Sequence, residues 1–283
     1  MIDSSSGTRE ATRRETLIEP HRGWSALHLR EIWAHRELLL VLTLRDLKVR
    51  YKQTVLGVTW AIIQPLFTML IFSIVFGRFA KIPSDGHPYP LFVYAALLPW
   101  VFFANAVSSA GMSLIGSAQL VNKVYLPRII IPTSTIGSAL VDFSVSFAVL
   151  LLMLWYFEIN LSLSLTLFPL LTLLLVVLAL GVGILLAALT VSYRDFRYVV
   201  PFALQIWMFA TPIVYPMSII PESWRWLWYL NPMTGIIDGF RACFLHQEVH
   251  LGSLWVSLFV SSFVLILGIS YFRKVEHRFA DVI

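Results

Sequence analysis

Residues 165–191 read LTLFPLLTLLLVVLALGVGILLAALTV, without one ionisable side chain. A bilayer core of about 30 Å is crossed by about 20 helical residues, so this stretch is long enough to span one. Five other apolar runs have the same character, and the spans fall at about 55–77, 91–114, 132–156, 165–191, 199–219 and 252–272. Only the third contains a charged residue, Asp142. Hydrophobic residues are 58% and charged residues 13% of the 283-residue chain, with mean hydropathy +0.78. A soluble domain of this length has no interior large enough for so much apolar surface, so lipid must solvate most of it. The expected fold is an all-α polytopic membrane protein with six transmembrane helices.

Charge orients the spans. With loops alternating sides, 17 of the 21 Lys and Arg residues share one side. They lie in residues 1–54, at Lys123 and Arg128, at Arg194 and Arg197, and at Arg273, Lys274 and Arg278. Arg78, Lys81, Arg225 and Arg241 lie opposite. The positive-inside rule predicts both termini in the cytoplasm, as in an inner-membrane-type protein. The same rule explains the isoelectric point of 9.4 without nucleic acid as a partner. Residues 1–23 are polar and lack the apolar core of a cleavable signal. They read as a disordered cytoplasmic tail ahead of a single transmembrane domain, residues 24–283. The lone Cys243 rules out an intrachain disulfide.

Residues 24–36, WSALHLREIWAHR, predict an amphipathic helix lying in the interface, with Trp33 at headgroup depth. His21, His28 and His35 recur every seven residues and read as a polar stripe rather than a metal site. Residues 220–251 are too apolar for a plain loop, and Pro221, Pro232 and Gly239 interrupt them too often for a span. A pair of re-entrant helices in the outer interface fits them, buried in protein or lining a cavity. Pro201, Pro212 and Pro216 predict kinks in the fifth span, as a hinge or as bundle shape.

Three catalytic signatures are absent. No GxxxxGK[ST] loop cradles a nucleotide, no HExxH offers a zinc site and no GxSxG marks a nucleophile. His246 and His250 have the i,i+4 spacing of metal ligands, but Glu248 is misplaced for that motif. No catalytic residue, metal or cofactor is expected in the chain. Proton-driven transport needs a relay of intramembrane carboxylates or histidines. Asp142 alone reads better as a helix–helix hydrogen-bonding residue. Arg45, Lys48, Arg50 and Lys52 precede the first span, where membrane anchoring explains them as well as attraction of a substrate diphosphate does.

Six fragments in order resemble the permease subunits of ABC-2 type polysaccharide exporters, which move O-antigen, capsule or teichoic-acid chains. They are RDLKVRYKQTVLGVTWAIIQP (45–65), LLPWVFFANAV (97–107), NKVYLPRIIIP (122–132), SYRDFRYVVP (192–201), TPIVYP (211–216) and NPMTGIIDGFR (231–241). The resemblance implies a homodimer driven by two copies of a separate ABC ATPase, which binds the ATP and Mg. It also implies that residues 117–128, SAQLVNKVYLPR, form a cytoplasmic helix docking on that ATPase. Leu120, Val124, Tyr125 and Leu126 would supply its apolar contacts, with Lys123 and Arg128 flanking them and Pro127 ending the helix. An ordinary connecting loop is the alternative.

The same family lines its conduit with aromatics. Candidates here are Trp60, Trp100, Phe103, Trp207, Phe209 and Tyr215, for each of which lipid contact or helix packing is an equal reading. The function implied is ATP-driven export of a lipid-linked polysaccharide. Rival readings are a drug or lipid exporter of the same fold, an ion-coupled flippase, and a glycan transferase for which the outer acidic residues and histidines lack a nucleophile.

Overall fold

The computed structural model describes residues 35–52, 57–123, 126–159 and 163–279. The expectations for the 1–23 tail, for most of the 24–36 helix, and for Val124 and Tyr125 fall outside the described residues. Among the described residues every regular element is helical. α1 (Arg36–Lys52) carries the basic run, and α2 (Trp60–Phe72) follows a 3₁₀ turn and widens into a π-helical stretch at Ser73–Phe79. Then come α3 (Tyr89–Gly116), the short α4 (Ala118–Lys123), α5 (Ile130–Tyr156) and α6 (Phe168–Ser192). The chain ends with α7 (Phe196–Ala210), α8 (Glu222–Tyr229), α9 (Pro232–Leu245) and α10 (Leu251–Val275).

Five helical stretches are long and apolar enough to cross a membrane: Gly57–Phe79, Tyr89–Gly116, Ile130–Tyr156, Ser164–Ser192 and Leu251–Arg278. They match five of the six expected spans. The span expected at 199–219 differs. α7 has 15 residues and stops at Ala210, so at 1.5 Å per residue it is about 22 Å long. The cause is local. Pro212 has no N–H to donate, and a residue before proline is driven out of the helical region. Thr211 accordingly sits at φ −105°, ψ 140°.

α3 is the hub, buried along most of its length from Leu91 to Leu114 and packed by α2, α5, α6 and α9. Lipid offers helices no hydrophobic reward for associating, so close approach depends on small side chains. The α6–α10 contact shows this. A Cβ added to Gly181 would lie 2.7 Å from the backbone N of Leu265, and one on Gly268 2.5 Å from the carbonyl of Gly181. Phe143, Phe147, Phe168, Phe240 and Phe244 interlock where α5, α6 and α9 meet; the Phe147 and Phe168 rings stack at 4.3 Å. In contrast α2, its π-helical continuation and α7 present apolar side chains outward, among them Phe67, Phe79, Phe202 and Phe209.

Candidate functional site

The break after α7 is held by an arginine. Arg241 on α9 is 1% exposed. Its Nη1 donates to the carbonyl of Pro212 at 2.8 Å and its Nη2 to that of Ile213 at 2.7 Å. Tyr89, at the start of α3, donates to the next carbonyl, Val214, at 2.6 Å. The three successive carbonyls of the unwound segment after the break are thus satisfied inside the protein, as buried backbone requires. The guanidinium also lies 3.6 Å over the ring of Phe92, a cation–π contact.

Asn231 anchors the other side. It accepts from Trp207 Nε1 at 2.9 Å and from the Met233 amide at 3.1 Å, and donates to Thr211 Oγ1 at 2.9 Å. It thereby caps α9, with Pro232 at the first helical position, and ties that cap to the end of α7. Beside Arg241, burial pushes the Asp238 carboxyl up to about 6, an effect the nearby guanidinium opposes. Loop charge alone marks Arg241 as an outer-side cation, with no sign of this clamp. Its signal was a lone cation inside the apolar run GIIDGFRACFL, following a proline-broken span.

A second polar site lies toward the other end of α3. Arg50 pairs with Asp142 Oδ2, and the Tyr51 hydroxyl donates to Asp142 Oδ1. Burial, then the Asp142 carboxylate, pushes the Tyr51 phenol up to about 12. The carboxylate thus joins α1 to α5, as a helix–helix hydrogen-bonding residue would. It borders a cavity of about 330 Å³ also lined by Trp60, Gln64, Asn105 and Ser146. The other three cations of the basic run do not share this pair. Arg45 contacts its neighbour Asp46 at 2.8 Å, and Lys48 and Lys52 are exposed. These three flank an apolar groove with Val41, Leu44 and Val49.

The remaining candidates divide by exposure. Leu120 is half-buried and Leu126 buried against Val121, Ile129 and Phe279, whereas Lys123 is exposed. Arg128 donates to the carbonyl of Glu276, fastening this segment to the end of α10. Phe103 and Trp100 are buried and pack edge-on to Trp207 at 5.0 and 6.5 Å. Tyr215 accepts from Trp228 Nε1 at 2.9 Å. Trp60 and Phe209 are each about half exposed.

Five long apolar helices, one of them the hub α3, and a shortened sixth that ends at a proline break define a polytopic helical membrane domain of the permease kind. Sequence similarity places it more narrowly: the profile of ABC-2 type transporters matches residues 37–245, and the chain belongs to that family. The O-antigen export system permease protein RfbA of Myxococcus xanthus is 31% identical over 260 residues, 90% of this chain and 98% of the relative. RfbA of Klebsiella pneumoniae is 29% identical over 248 residues, 87% of this chain and 95% of the relative. The polysialic acid transport protein KpsM of Escherichia coli is 27% identical over 245 residues, 83% of this chain and 92% of the relative.

Proposed function

We propose that this chain is the permease subunit of an ATP-driven exporter that moves a lipid-linked, O-antigen-like polysaccharide from the cytoplasm across the inner membrane. The observation that carries the reading is similarity along nearly the whole chain to permeases named for O-antigen export. Two copies of the chain enclose the conduit, and two copies of an ABC ATPase bind ATP and Mg. The outward apolar faces of α2 and α7 offer surface for the second copy. The 117–128 segment transmits the ATPase stroke: buried Leu126 and half-buried Leu120 fix it to the bundle, which leaves the exposed Lys123 to meet the partner. Of the basic run, Arg45, Lys48 and Lys52 are free of the Asp142 pair to attract lipid or substrate phosphates. Trp60 and Phe209 have exposed rings on which a sugar face packs. An ion-coupled flippase is disfavoured, because Asp142 is held by Arg50 and Tyr51 rather than standing in a chain of titrating groups.

Deletion of the gene tests this. The cell should lose its surface polysaccharide and accumulate the lipid-linked polymer inside. Export should return with the intact gene, and only when an active ATPase partner is present. A deletion strain with undiminished surface polysaccharide would remove the reading.

A further inference from the structure

On the outer side, against the Arg241 clamp, lies a cavity of about 490 Å³. That is within the range of small-ligand pockets, about 300–1,000 Å³. Three of its lining residues carry a buried polar atom with no hydrogen-bond partner: Asp238 Oδ2, Arg241 Nε and Gln247 Nε2. One is an acceptor and two are donors. Buried groups left unpaired are costly, and three converging on one cavity mark a place where something else completes them.

The chemistry narrows the occupant. Asp85, Asp238 and Glu248 bring three carboxylates, set against the guanidiniums of Arg225 and Arg241, with histidines alongside. Near-balanced charge favours a neutral ligand over an anion or a cation. No group of three His, Cys, Asp or Glu suited to a metal ion exists among the described residues. A hydroxyl is the group that both donates to a carboxylate and accepts from an N–H. Tyr229, Pro216 and Met217 add apolar wall. A polyhydroxylated ring with apolar C–H faces matches both halves of this lining.

We propose that this outer cavity is a saccharide-binding subsite that holds a neutral sugar of the exported chain as it leaves. Asp238 Oδ2 accepts from a sugar hydroxyl, while Gln247 Nε2 and Arg241 Nε donate to sugar oxygens. Ser218 Oγ bonds Asp85 at 2.9 Å, closing the rim between the 80–88 loop and the 211–220 segment. Because the subsite shares Arg241 with the unwound segment, an occupying sugar touches the group that holds the break after α7.

The inference rests on the polysaccharide-export reading, so the deletion strain is examined first. If it keeps its surface polysaccharide, the export reading falls and takes this subsite with it. If it loses the polysaccharide, that polymer from the parent cell is trimmed to short oligosaccharides. These are added to the purified full-length chain in nanodiscs, and saturation-transfer NMR reads their contact. Wild type should transfer saturation to the sugar protons. The double variant Asp238→Asn, Gln247→Ala should bind about ten-fold more weakly, the loss expected for two ordinary hydrogen bonds. Asp238→Asn is isosteric and Gln247 follows the end of α9, so melting should be unchanged; Gln247→Ala alone serves if it is not. No transfer to wild type, or equal transfer to the variant, overturns the subsite while leaving the export reading standing.

Discussion

Arg241 reaches from α9 to the Pro212 and Ile213 carbonyls beyond the end of α7. Arginine's planar fork reaches two carbonyls at once, which a lysine ammonium cannot do in the same geometry. Arg241→Met leaves the Pro212 and Ile213 carbonyls buried without donors and should cost about 2–4 kcal/mol, partly offset because the charge itself no longer has to be buried. Arg241→Lys should fall between the two. Thermal unfolding in detergent, followed by tryptophan fluorescence, measures the series; identical melting of all three proteins would mean that the carbonyls find other donors.

Asp142 gives a second test at this scale. As one group of a network with Arg50 and Tyr51, its loss should not add to theirs. A double-mutant cycle on Asp142→Ala and Arg50→Ala should show a coupling of about 0.5–3 kcal/mol. Asp142→Asn, which keeps the shape and part of the hydrogen bonding, should export polysaccharide at close to the parental rate. A proton relay would stop with that substitution.

Among the elements, the α6–α10 crossing is set by two glycines rather than by large apolar surfaces. Gly268→Ala places a methyl 2.5 Å from the Gly181 carbonyl, and backbone on both sides leaves nothing flexible to yield. The helices must separate, at about 1–3 kcal/mol by the usual cost of overpacking. A lower melting temperature checks it. α4 and the segment after it respond in two ways. Leu126→Ala opens a hole beside Phe279 and Ile129 and should lower stability. Lys123→Glu touches only the surface, so it should leave melting unchanged while reducing the amount of ATPase that copurifies. If Lys123→Glu retains the partner in full, the docking role falls.

For the whole molecule, burial makes the native cysteine silent. Cys243 is 1% exposed and bonds the Ser164 carbonyl at 3.1 Å. The folded wild-type protein should therefore resist a membrane-impermeant maleimide and react after denaturation. That leaves a clean background for topology. Ser223→Cys, on the exposed α8, should label in intact spheroplasts, whereas Lys123→Cys should label only once the membrane is opened. The reverse pattern would invert the orientation drawn from the charges.

How much was legible in the sequence follows from where the physics is written. Hydropathy is local and additive, so the apolar runs are read from composition along the chain, and loop charge supplies the expected orientation. Five of them are helices within a few residues of the expected limits. Proline at 212 and 216 announced a disturbance in the fifth, but its form is not a local property. Whether a proline bends a helix or ends it depends on what satisfies the carbonyls of the unwound segment, and here the donors are Arg241, some 28 residues onward, and Tyr89, more than 120 residues back. The same holds for Asp142, whose partners on α1 are brought to it only by packing. For the aromatics, the sequence supplied the residue type but not the exposure. Trp100 and Phe103 are sealed against Trp207, while Trp60 and Phe209 face outward. A membrane protein's solvent selects its helices from sequence alone. Which polar groups meet within them is decided by tertiary structure, because a hydrogen bond needs both partners in one place.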